Sequence, residues 1–141
     1  MRYFLIAGEA SGDQLGAALM AGLRQLDPQA EFLGVGGPAM TPLGLTSLFP
    51  MDELSIMGIW EVLPKYRHLK RRIAQTAQAV IDAAPDVLIT IDSPDFGLRV
   101  ARLVRAQRPD LRMVHYVAPS VWAWRPGRAL KMAQVIDHVL A

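Results

Sequence analysis

The chain has 141 residues, 15 Lys and Arg against 13 Asp and Glu, and no cysteine. Its length fits one globular domain, and a composition 52% hydrophobic and 20% charged excludes disorder, because enough apolar surface is available to offset chain entropy. The missing cysteines exclude disulfides, thiolate nucleophiles and cysteine zinc sites, and a net charge of +2 is too small an excess for a nucleic-acid face.

The N-terminal run Tyr3–Ala7 is short for a signal peptide and is expected to be a buried strand ended by Gly8. From Ala10 the spacing turns helical, with Leu15, Ala18, Leu19, Leu23 and Leu26 as the apolar stripe and Asp27-Pro28 as the stop. Glu31–Val35 is the second strand, and Gly36-Gly37-Pro38 marks a sharp turn. Ala39–Leu43 fits one helical turn and Thr46–Phe49 a third strand. Met51–Trp60 mixes acids with apolar residues and fits no element. A long helix follows to about Ala83, with Leu69, Ile73, Ala77, Val80 and Ile81 as its stripe and a basic cluster, Lys65–Arg72, in its first half.

Val87–Ile91 is nearly all apolar, the mark of a strand covered on both faces. Ser93-Pro94 predicts a helix start, with Ser93 as N-cap and Leu98, Ala101, Leu103 and Val104 as buried surface. Leu111–Val117 is the next strand. Ala118–Arg128 is a Trp- and Pro-rich loop, Ala129–Gln134 a helix, and Val135–Leu140 a last strand. The alternation predicts an α/β fold, a Rossmann-like parallel sheet with helices on both faces, as one domain over residues 1–141.

Four segments carry candidate chemistry. Gly8-Glu9-Ala10-Ser11-Gly12-Asp13 follows the first strand, where a glycine-rich turn exposes backbone amides at a helix N-terminus. It is neither GxGxxG nor a P-loop, and Glu9 and Asp13 suit sugar hydroxyls better than phosphate. Equally open is a plain turn with Ser11 or Asp13 capping the helix. Asp92 ends an apolar strand, so its carboxylate sits where ligands bind in such sheets and is a candidate general base; a local capping role is its alternative. Asp95, in the first helical turn, reads as structural. His115–Arg125 brings Ser120, Trp122, Trp124 and Arg125 just beyond a strand, a set suited to stacking on sugar rings and gripping phosphate, or else to plugging the sheet edge. His115 itself reads as a core residue. Ile56, Met57, Ile59 and Trp60 beside Arg67, Lys70 and Arg71 form either a membrane-interface patch or a solvated helix face.

Taken together, AGEASGD at residues 7–13, GVGGP at 34–38, MGIWEVL at 57–63, IDSPDF at 91–96 and HYVAPSVWAWR at 115–125 resemble the lipid-A-disaccharide synthase family of bacterial glycosyltransferases, over nearly the whole chain and in order. The resemblance implies the N-terminal, acceptor-side half of a GT-B fold. It implies inverting transfer from UDP-2,3-diacylglucosamine to 2,3-diacylglucosamine-1-phosphate (lipid X), giving the disaccharide phosphate and UDP without a metal or other cofactor. Asp92 then becomes the base for the acceptor hydroxyl. Gly8, Glu9, Ser11, Gly12 and Asp13 line the cleft, with Ser11 in direct contact, and Ser120, Trp122, Trp124 and Arg125 shape the acceptor side. Ile56–Leu63, with Arg67, Lys70 and Arg71, docks acyl chains at an anionic membrane. The implied place is cytoplasmic, peripheral on the inner membrane of a Gram-negative bacterium, with no nucleic-acid partner and with homodimerisation open. The family's nucleotide-binding half lies beyond these residues, so the chain alone is expected to be inactive. Two other readings stay open: a non-catalytic lipid or membrane-surface binding module, and, less well matched, an oxidoreductase nucleotide domain, against which GEASGD departs from GxGxxG.

Overall fold

The computed structural model describes residues 1–54, 63–92, 94–116 and 137–140; of 63–66, 94, 95 and 138–140 it describes the backbone alone. Its elements are β1 (Arg2–Ala7), α1 (Ala10–Leu26), β2 (Glu31–Val35), a 3-10 turn at Thr41–Leu43, β3 (Thr46–Ser47), α2 (Leu63–Ala83), β4 (Val87–Ile91), α3 (Pro94–Gln107), β5 (Arg112–Tyr116) and β6 (His138–Leu140). These strands form one sheet in the order β3-β2-β1-β4-β5-β6, and every pair is parallel. The expected Rossmann-like class is therefore the one observed.

Alternation along the strands divides the core in two. Phe4 and Ile6 of β1, Leu88 of β4 and Met113 of β5 face α2 and α3, where Ile73, Ala77, Val80, Val100, Ala101 and Val104 close the layer. Tyr3, Leu5 and Ala7 of β1, Phe32 of β2, and Ile89 and Ile91 of β4 face the other way, with Met20 of α1, Met40 and Leu45. Right-handed crossovers account for this division: connections leading one way along the sheet place their helices on one face, and β1-α1-β2, leading the other way, places α1 on the opposite face.

The structure corrects three helix faces. In α1 the buried positions are Gly12, Asp13, Gly16 and Met20, not the leucine stripe: Leu15, Leu19 and Leu23 are half-buried and Leu26 is 86% exposed. The glycines are the reason. A Cβ on Gly16 would lie 2.6 Å from Met40 Sδ and 3.0 Å from Ile91 Cδ1, so the helix seats on the sheet along its thin side. In α2, Thr76 is buried and Ile81 only partly; the Thr76 hydroxyl is satisfied by donating to the Arg72 carbonyl at 2.7 Å. In α3, Val100 is buried and Leu103 is 45% exposed. The third strand is also shorter than expected, two residues. The expected Ala118–Arg128 loop and Ala129–Gln134 helix lie outside the described residues.

Candidate functional site

Strand order reverses between β1 and β4. Their carboxyl ends sit side by side, Ala7 in register with Ile91, and the connections leave in opposite directions, opening the crevice where such sheets bind ligands. Ser11 enters it from the first turn of α1 and Asp92 from the end of β4. The Ser11 hydroxyl donates to Asp92 Oδ2 at 2.6 Å across 81 residues of sequence. Among the described residues no hydrogen bond reaches Asp92 Oδ1.

Asp92 is held by its backbone. Its φ is +58°, the left-handed region that most side chains avoid and aspartate tolerates. Its amide donates to the Tyr116 carbonyl at 2.7 Å, tying the tip of β4 to that of β5. Such a conformation costs about 1 kcal/mol or more and concentrates at functional sites. The carboxylate is half-buried, so a ligand can reach it.

The GEASGD loop divides into two layers. Gly8 is half-buried, and Glu9 and Ser11 are exposed. Gly12 lies beneath, where an added Cβ would come within 3.5 Å of Asp92 Cβ and 3.6 Å of Ala7 Cβ; its small size lets α1 approach the ends of β1 and β4. Asp13 is 3% exposed. Its Oδ1 accepts from the amides of Gly37 at 2.9 Å and Met40 at 3.0 Å, and its Oδ2 from that of Ala39 at 2.8 Å. The expectation that Gly12 and Asp13 line the cleft is corrected: both are buried, and the Asp13 carboxylate organises the turn after β2. Nor does Ser11 or Asp13 cap α1. The N-cap is Glu9, which makes no side-chain cap bond and whose carbonyl receives the Asp13 amide.

Beneath Asp92 lies a polar pair that only half emerged from the sequence. Thr90 and His115 stand in register on β4 and β5, both buried, with Thr90 Oγ1 2.6 Å from His115 Nδ1. Burial pushes the His115 pKa down to about 4, against the pull of the Asp92 charge and its backbone carbonyl. Thr90 was not singled out, although one threonine in an otherwise apolar strand was the available signal. Gly37, expected only as part of a sharp turn, has a packing role: a Cβ there would sit 2.8 Å from Asp13 Oδ2, so glycine lets that carboxylate in.

Arg67, Lys70 and Arg71 lie on the exposed face of α2. Arg72 turns inward: it grips Glu53 through Nε at 2.9 Å and Nη2 at 3.0 Å, and its guanidinium lies 4.7 Å from the centre of the Phe49 ring. His68 joins Glu53 at 3.1 Å. The Arg72 hydrogen bonds, followed by that of His68, hold the Glu53 carboxyl below the usual range. Ile56, Met57, Ile59, Trp60, Ser120, Trp122, Trp124 and Arg125 lie outside the described residues. No helix among the described residues is long and apolar enough to cross a membrane.

A doubly wound parallel sheet with an acid and a hydroxyl paired at its switch point defines a Rossmann-like α/β domain. The family model for lipid-A-disaccharide synthetase matches residues 3–141, so the chain belongs to that family. It is 74% identical over 141 residues to the lipid-A-disaccharide synthase of Ruegeria pomeroyi, covering 100% of this chain and 35% of that protein. Against the synthases of Nitrobacter hamburgensis and Pseudomonas paraeruginosa the identities are 59% and 52%, covering 99% and 100% of this chain but 36% and 37% of those proteins. The chain thus spans about a third of the length of these relatives. Among solved structures, UDP-GlcNAc 2-epimerase from Neisseria meningitidis bound to UDP-GlcNAc superposes with a TM-score of 0.64 at 11% identity, covering 99% of this chain and 40% of that one. At that identity the likeness is one of fold.

Proposed function

We propose that residues 1–141 form one domain, the acceptor-side half of a GT-B glycosyltransferase. In the reaction, a glucosaminyl group passes from UDP-2,3-diacylglucosamine to the 6-hydroxyl of 2,3-diacylglucosamine-1-phosphate. The observation that carries this reading is the Ser11–Asp92 hydrogen bond at the switch point, on residues of two of the five segments that carry the family resemblance. Ser11 occupies Oδ2 and orients the carboxylate. Oδ1 accepts the proton of the acceptor hydroxyl as its oxygen attacks the anomeric carbon from the face opposite UDP, which inverts that centre. Contacts that stabilise the departing diphosphate belong to the second half of the longer enzyme. Gly8 and Glu9 border the acceptor, with Ser120, Trp122, Trp124 and Arg125 on its far side.

Both substrates are membrane lipids, so the domain works at the cytoplasmic face of the inner membrane. Arg67, Lys70 and Arg71 meet anionic headgroups there, and Ile56, Met57, Ile59 and Trp60 dip into the interface. In the full-length enzyme, Asp92→Asn keeps the size and the left-handed tolerance of the residue and loses the base, so turnover falls by about 10²–10⁴ while lipid binding persists. Retained turnover removes Asp92 from that role. The isolated chain yields no disaccharide. Replacing Met57 and Trp60 by Ser weakens binding to anionic vesicles; unchanged binding assigns them to packing instead.

A further inference from the structure

The Asp92 carboxylate does not stand where its strand would put it. Residues two apart on a strand share a face, and Leu88 of β4 belongs to the layer under α2 and α3. Thr90 lies on that face too, since a Cβ on Gly97 of α3 would come within 2.9 Å of Thr90 Cβ and Cγ2. Continued to Asp92, the same alternation would send its side chain toward α3. Its Cβ instead neighbours Gly12 of α1, and its carboxylate meets Ser11, on the opposite face. The left-handed φ of +58° makes that change of face. Moving from the extended value of about −120° to the left-handed region rotates Cβ by roughly half a turn about the N–Cα bond.

Such a backbone persists only where its surroundings over-determine it. Strand β5 supplies two ties. The Asp92 amide donates to the Tyr116 carbonyl at 2.7 Å. Two residues earlier, Thr90 Oγ1 lies 2.6 Å from Nδ1 of His115, the residue before Tyr116, and both side chains are buried. The other register pairs place Val87, Leu88, Ile89 and Ile91 on β4, none of which can make such a bond. A buried, satisfied polar pair rigidifies and fixes one arrangement where apolar contacts tolerate small slips. Threonine can donate or accept, so the bond survives in either tautomer of a neutral ring. Burial keeps the ring neutral, with its pKa pushed down to about 4 against the pull of the Asp92 charge and backbone carbonyl. A cationic ring so close would favour the ionised carboxylate and weaken it as a base. A neutral one holds the strand end without that loss.

We propose that Thr90 and His115 are positioning residues for Asp92: their hydrogen bond locks the ends of β4 and β5 together so that the left-handed turn presents the carboxylate to Ser11 and to the acceptor hydroxyl. Neither touches substrate; both act through Asp92. This role rests on the proposed function of Asp92 as the base and extends it to the layer beneath. Gly97 belongs to the same arrangement, because glycine there leaves Thr90 its place.

Two variants separate the hydroxyl from the shape. Thr90→Val keeps the shape and deletes the hydroxyl, and Thr90→Ser keeps the hydroxyl and loses one methyl. Amide hydrogen exchange in the 141-residue chain, followed by NMR, reads the turn directly. Thr90→Val speeds exchange of the Asp92 amide about ten-fold or more relative to that of Leu5 in β1, and Thr90→Ser leaves the ratio near the parent's. Equal acceleration at Asp92 and Leu5 marks a general loss of stability and overturns the inference. So does a parent chain whose His115 ring nitrogens show no hydrogen bond in their ¹⁵N shifts, a result that needs no variant. In the full-length enzyme, Thr90→Val lowers kcat about ten-fold or more with the acceptor KM unchanged, and Thr90→Ser restores most of it. Added to Asp92→Asn, Thr90→Val causes no further loss, because the group it positions is already disabled. A similar loss in both backgrounds, or a higher KM with kcat unchanged, overturns the inference. Retained turnover in Asp92→Asn alone instead removes the base assignment, while the exchange ratio still reads the turn, so the two failures are told apart.

Discussion

The fold can be interrogated most sharply at Asp13. Replacing it with Ala removes the acceptor of three amides, those of Gly37, Ala39 and Met40. Gly37 and Met40 are buried, so water cannot reach their amides, and each costs about 1–3 kcal/mol when left unpaired. Ala39 is partly exposed and recovers most of its loss from solvent. The favourable placement of a negative charge in the first turn of α1 is lost as well, worth about 0.3–1 kcal/mol. The sum is about 2–7 kcal/mol, a large share of the roughly 5–15 kcal/mol of a typical domain. Asp13→Asn differs in a telling way. Its carbonyl can replace Oδ1 and keep the Gly37 and Met40 bonds, but its amide then points a donor at the Ala39 N–H. The cost is about 1–3 kcal/mol. Urea denaturation followed by circular dichroism measures both. Equal destabilisation by the two variants, or a loss under 1 kcal/mol for Ala, would refute the hydrogen-bond accounting. An Asn variant of unchanged stability that no longer binds the acceptor would return Asp13 to the ligand.

Other consequences can be checked with the same assay. The folded pKa of His115 is lowered from 6.5 to about 4, so its contribution is complete above about pH 6.5 and is lost as pH falls towards 4, by about 3 kcal/mol in all. His115→Gln removes that part of the slope between pH 4 and 6.5, and an identical slope in the variant sinks the assignment. Gly34 has φ +139°, and a Cβ there would lie 1.8 Å from the Leu5 carbonyl oxygen of the paired strand, so Gly34→Ala forces β1 and β2 apart and costs at least about 3 kcal/mol; a soluble variant with the parent's urea midpoint excludes this geometry. Ala84 follows α2 with φ +46° and donates to the Val80 carbonyl, the position glycine favours at a helix end, so Ala84→Gly raises stability by about 1 kcal/mol. A lower midpoint for that variant contradicts the cap.

What could be read in advance follows the range of the interactions. Glu31–Val35 and Val87–Ile91 match the expected strands end to end, because turn residues bound them and their apolar runs are local properties. The faces of the helices were less legible. Leucine spacing in α1 pointed to one side, whereas close approach favoured the side made thin by Gly12 and Gly16, a choice made by Met40 and Ile91 some twenty to eighty residues away. Asp92 could be placed at a strand end from hydropathy alone, but its hydroxyl partner could not. For Asp13, the preceding glycine suggested a ligand loop, while its true partners are amides 24 to 27 residues onward. No local pattern separates a carboxylate that meets substrate from one that meets a distant turn.

The switch point also sets a schedule. Ser11 and Asp92 meet only after β4 has docked beside β1, and 81 residues separate them. At about 5–20 residues per second, a ribosome that has just made the glycine-rich loop needs roughly 4–16 s to deliver the carboxylate that completes the pair. Until then the nascent chain carries β1, α1 and β2 with an unpaired edge on β1. The newest strand therefore closes the exposed edge of β1 and brings Asp92 to Ser11 in one event, so neither a chain that stops short of β4 nor one whose β4 is misplaced can hold the Ser11–Asp92 pair.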